Sequence, residues 1–80
     1  MSSLIENIDK LHTTEMGIER IKRNCQIETG DVIKWSKKQI LDETAKIERI
    51  GKNWYVVAGN YKITVNAHSY TIITAHKMKT

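Results

Sequence analysis

The chain predicts an α+β fold, with two to three N-terminal helices packed on a C-terminal four-stranded antiparallel meander. Three observations predict it. Apolar residues recur at helical spacing through residues 1–43, and from residue 44 onward the period changes from 3.6 to 2. The second half is rich in β-branched and aromatic residues and is punctuated by short turn signals, of which Gly59-Asn60 is the strongest. Proline is absent, so no element is broken that way.

In the helical part, Ser3 and Glu6 have the spacing of a capping box, and Leu4, Ile5, Ile8 and Leu11 then form an apolar stripe. This predicts a first helix ending near Leu11 or His12. Thr13 or Thr14 caps a second helix whose apolar face is Ile18, Ile21 and Cys25. Gly17 weakens its first turn or admits a close neighbour. After a break over Asn24–Gly30, Asp31 caps a third helix that runs to about Leu41. Its inward face is Val32, Trp35, Ser36, Gln39 and Ile40.

The sheet part, residues 44–80, reads as Thr44–Ile50, Asn53–Ala58, Tyr61–Asn66 and Ser69 to Ala75 or His76. Gly51-Lys52 or Lys52-Asn53, then Gly59-Asn60, then Ala67-His68 turn the chain between them. Alternation puts Tyr61, Ile63 and Val65 on one face of the third strand and Lys62, Thr64 and Asn66 on the other. Trp54 and Tyr55 are adjacent, so one is core and the other is free for stacking or partner contact.

Eighty residues make one small domain, and 40% hydrophobic with 28% charged residues is a globular composition. No apolar run is long enough to span a bilayer, Met1-Ser2-Ser3-Leu4 has no signal-peptide pattern, and a lone Cys25 cannot form an internal disulfide. These features predict a soluble cytoplasmic protein. The net charge of +4 is uneven: residues 1–43 carry seven Lys/Arg against eight Asp/Glu, and residues 44–80 carry six against one, Glu48. The basic half is the half that would meet phosphate.

The same half holds the side chains capable of chemistry. His68 and His76 are candidates for proton transfer near neutral pH. Thr64, Ser69, Tyr70, Thr71 and Thr74 can hydrogen-bond phosphate oxygens. Lys62, Thr64, Tyr70, Thr74 and Lys77 are the expected RNA-binding set, and His76, His68, Lys62 and Arg20 the expected catalytic set. No CxxC, HxxxH or HExxH is present, so neither a metal site nor a cofactor is expected. No GxSxG surrounds Ser69, so acyl transfer has no support.

Leu11-His12-Thr13-Thr14-Glu15-Met16-Gly17, Arg20-Ile21-Lys22-Arg23-Asn24 and the run Ile63 to Lys77 resemble a family of small bacterial proteins known only as a domain of unknown function. That resemblance implies a bacterial or phage-borne cytoplasmic protein and no particular activity. A helix followed by a meander ending in Ser69-Tyr70-Thr71-Ile72-Ile73-Thr74-Ala75-His76 is also similar to the small metal-independent ribonucleases of the barnase–EndoU–colicin–RelE group. This second resemblance implies His12 or Arg20 facing a sheet that bears Lys62, Thr64, His68, Tyr70, Thr74 and His76. Three functions fit: a metal-independent endoribonuclease, toxin-like or defence-related; a non-catalytic module or inhibitor that grips RNA or an acidic protein on its basic sheet; and a homo-oligomer, such as a homodimer paired through a strand edge.

Overall fold

A computed structural model describes residues 3–28 and 30–78. The elements are α1 (Ser3–Glu6), a 3-10 turn (Ile8–Lys10), α2 (Glu15–Cys25), α3 (Val32–Ile40), β1 (Lys46–Ile50), β2 (Asn53–Ala58), β3 (Tyr61–Asn66) and β4 (Ile72–Lys77). The strands pair antiparallel in the order β1-β2-β3-β4, and the helices precede them. The layout is therefore α+β with a meander sheet. No helix among the described residues is long and apolar enough to cross a membrane.

α2 and α3 start where their caps dictate. The Thr14 hydroxyl accepts from the Gly17 N–H at 3.0 Å and opens α2, and the Asp31 carboxylate accepts from the Lys34 N–H at 2.9 Å and opens α3. Gln26 closes α2 in the left-handed region, with its N–H on the Lys22 carbonyl. The first helix is shorter than its apolar stripe predicts. It stops at Glu6, and the chain tightens into the 3-10 turn before Leu11 extends. Ser3 is the first residue of α1 rather than the residue before it, and its side chain, and so the capping box, lies outside what is described. Thr29, in the break before α3, also lies outside the described residues, as do Lys79 and Thr80 after β4.

α2 and α3 pack on one face of the sheet, against β4 and β2 respectively. Between the layers lie Leu4, Leu11, Ile21, Cys25, Val32, Ile40, Trp54, Val56, Ile63, Val65, Ile72 and Ala75, all buried. Ile8 and Ile18 are only half-buried at the edge of this core, where short helices give less cover than a continuous stripe would. Burial pushes the Cys25 thiol above its ordinary pKa. The Ser36 hydroxyl is also buried, on α3, without a hydrogen-bond partner among the described residues.

Gly17 sits in the first turn of α2, close against Thr13 in the segment that links the 3-10 turn to α2. A Cβ there would lie 2.2 Å from the Thr13 hydroxyl oxygen, which itself donates to the Ile72 carbonyl at 3.0 Å. Alanine would gain about 1 kcal/mol of helix propensity. Pushing Thr13 off β4 costs more, so Gly17→Ala should be net destabilising by about 1–3 kcal/mol in a denaturant titration. A rise in stability would show that Thr13 moves aside freely.

Candidate functional site

β2 and β3 join through Gly59-Asn60, with Ala58 opposite Tyr61, and that register fixes every other pair. Trp54, Val56 and Ala58 face the helices and are buried, so Tyr55 and Val57 face away. Pairing carries this outward face across the sheet. Lys46, Val57, Lys62 and His76 stand in one cross-strand row, and Glu48, Tyr55, Thr64 and Thr74 stand in the next. None of α1, α2 and α3 covers this face, since the core packs on the other.

Lys62 and His76 are direct cross-strand partners. The Lys62 ammonium also lies 5.5 Å from the centroid of the half-buried Tyr55 ring. Beside that ring runs a shallow groove of about 410 Å³, lined by Lys46, Glu48, Ile50, Tyr55, Val57 and Lys62. The floor is apolar, and the two lysines and Glu48 hold the rim. Among the described residues no group of three or more His, Cys, Asp or Glu is placed to hold a metal ion.

The structure gathers part of the expected set and scatters the rest. Lys62, Thr74 and His76 share the open face. Thr64 lies between Tyr55 and Thr74 on the same face but is only 8% exposed, so it offers little to a ligand. His68 is elsewhere. The fourth strand begins at Ile72, not Ser69, because the Asn66 carboxamide oxygen captures the N–H groups of His68 (2.9 Å) and Ser69 (3.0 Å) and holds them in a turn. Tyr70 follows with φ of 58°, which ends that turn, and its ring packs 5.3 Å from Trp54 with the Lys10 ammonium 5.5 Å away. Arg20 is on the exposed side of α2, beside Met16, Glu19 and Arg23, in the helix layer. Lys77 pairs with Tyr61, on the strand face opposite to that of His76.

His12 is held in a different constellation. Its Nδ1 donates to the Lys10 carbonyl at 2.8 Å, so in the neutral ring Nε2 accepts from the Thr71 hydroxyl at 3.0 Å. The Ser69 hydroxyl lies 2.8 Å from that of Thr71. The His12 backbone also pairs with the segment leading into β4, donating to the Tyr70 carbonyl and accepting from the Ile72 N–H. The nearby N–H groups of His68 and Ser69 are already spent on Asn66 and are not free as oxyanion donors, and this chain of hydroxyls fastens the strap between the 3-10 turn and α2 to the sheet.

Sequence reasoning missed Lys46, Glu48, Ile50 and Val57 as site residues. The signal was available: Lys46, Glu48 and Ile50 alternate along β1, and the turn at Gly51-Lys52 sets Ile50 against Asn53. The first strand starts at Lys46 rather than Thr44, because Asp42 accepts from the Thr44 N–H and hydroxyl and holds that residue in a turn. Those bonds keep the exposed Asp42 carboxyl below its ordinary pKa.

No curated protein and no solved structure matches the chain. A family model described as "Protein of unknown function (DUF3781)" matches residues 5–76, and the chain belongs to that family.

Proposed function

We propose that the chain binds unpaired RNA on the open face of its sheet. The observation that carries this reading is the pairing of the Tyr55 ring with the Lys62 ammonium, with His76 directly across from Lys62. An accessible aromatic flanked by cations on a sheet meets both parts of a nucleotide: the ring takes a base and the cations take the phosphates. The groove beside Tyr55 gives a base an apolar floor in Val57 and Ile50. Thr74 adds a hydroxyl within the same two rows.

The test is fluorescence anisotropy with a labelled single-stranded RNA at several salt concentrations. Tyr55→Ala should weaken binding about 5- to 150-fold, the worth of one base stacked on an aromatic ring. Lys62→Ala should reduce the slope of log affinity against log salt by about 0.7, one phosphate contact on a single strand. Unchanged binding in both variants would move the site off this face, and an acidic protein partner would then be the better reading.

The Lys62–His76 pair favours a second, stronger reading, that the bound RNA is also cleaved. His76 would move a proton and Lys62 would hold the phosphate whose charge grows in the transition state. With His68 and Arg20 placed elsewhere, this chemistry rests on the open face only.

A further inference from the structure

The two edges of the sheet differ. At the β4 end the His12 segment bridges in parallel at Thr71, the residue before β4, and accepts from the Ile72 N–H, whereas among the described residues nothing pairs with the outer edge of β1. β1 is Lys46-Ile47-Glu48-Arg49-Ile50, and only Ile47 is as much as half-buried. Ile50 and Asn53 are Cα partners flanking the two-residue turn, the positions whose backbone groups bond to each other in a two-residue hairpin loop. Alternation then directs the backbone groups of Glu48 and Lys46 toward β2, and those of Ala45, Ile47 and Arg49 outward. Charged edge strands usually resist pairing. Here the order of charges decides which pairing is resisted.

We propose that two copies of this chain join edge to edge through β1, antiparallel, about a two-fold axis at Ile47. Outward groups must meet outward groups, and an axis on β1 itself, clear of the Gly51-Lys52 turn, leaves a short set of symmetric registers. An axis at Lys46 sets two ammonium groups opposite each other, an axis at Glu48 sets two carboxylates opposite, and an axis at Arg49 sets two guanidinium groups opposite. Each of these is disfavoured by like charge. The axis at Ile47 alone puts Lys46 of each copy opposite Glu48 of the other, twice. It also brings the two Ile47 side chains together on the helix side, where each already packs at the margin of its own core. Both open faces then lie on the same side of one continuous sheet, with their grooves side by side across the seam.

A five-residue strand pair is a small interface, so the association is concentration-dependent. Analytical ultracentrifugation from about 5 to about 500 μM should show the mass rising from one chain toward two. Glu48→Lys should abolish the rise, and Lys46→Glu combined with Glu48→Lys should restore it, because the reversed pair is again complementary. Circular dichroism checks that each variant folds. Ile47→Cys gives an independent readout, since residues facing each other at the axis stand about 5.5 Å apart between Cα atoms, within disulfide reach. Mild oxidation should convert that variant to a covalent dimer while Cys25 stays buried. A parent that remains one chain at the highest concentration overturns the proposal. So does a Glu48→Lys variant that associates like the parent, or an Ile47→Cys variant that does not cross-link.

Discussion

Ile63→Ala should lower the free energy of unfolding by about 2–5 kcal/mol, the range for emptying a buried aliphatic site. Ile63 is fully buried in the middle of β3, opposite Val56 on one side and Ala75 on the other. All three belong to the core beneath α2 and α3. The partner at Ala75 is already small, so the neighbours have little material with which to fill the space. A chain of this length has a total stability of only about 4–12 kcal/mol, so the loss is a large fraction of the whole. Chemical denaturation monitored by tryptophan fluorescence reads it directly, because Trp54 lies in the same buried layer. A loss below about 0.5 kcal/mol would place Ile63 at the surface and invert the two faces of the sheet.

If the RNA is cleaved, His76→Ala should slow cleavage by about 10²- to 10⁴-fold, the worth of a positioned general acid or base. The imidazole is exposed near the end of β4, so its removal should leave the fold intact. In this mechanism the substrate's own 2′-hydroxyl is the nucleophile. Cleavage in EDTA should therefore leave a cyclic phosphate, and an RNA with a 2′-deoxy sugar at the cleaved position should be inert. Full activity in His76→Ala, or cutting of the deoxy substrate, would contradict that mechanism and leave RNA binding without chemistry.

How the site could be foreseen depends on the reach of each signal. β2 and β3 were legible to the residue, because Gly59-Asn60 pins one end and alternation sorts the faces; Lys62 on the side away from the core followed from that. His76 joins Lys62 only through the register of β4, which shifts between Thr64 and Val65 and starts after a turn that strand propensity hides. Ser69, Tyr70 and Thr71 have the composition of a strand, and it is the Asn66 side chain and the positive φ of Tyr70 that hold the chain out of one until Ile72. The same turn separates His68 from His76. Arg20 lies on the polar side of α2, as helical phase indicates, but phase does not show which face of the sheet the helix covers. His12 was visible as a residue near a cap, yet its fastening to Thr71 spans 59 positions and has no local signature.

The uncovered sheet face is the proposed site of RNA binding. The most direct measurement is a titration of isotope-labelled protein with a short single-stranded RNA, followed by amide and side-chain chemical shifts. With RNA bound on that face, the changes should concentrate on Tyr55, Val57, Lys62, Thr74 and His76, while Arg20 and Arg23 on α2 stay still. Shifts centred on α2, or no shifts at low salt, would contradict it.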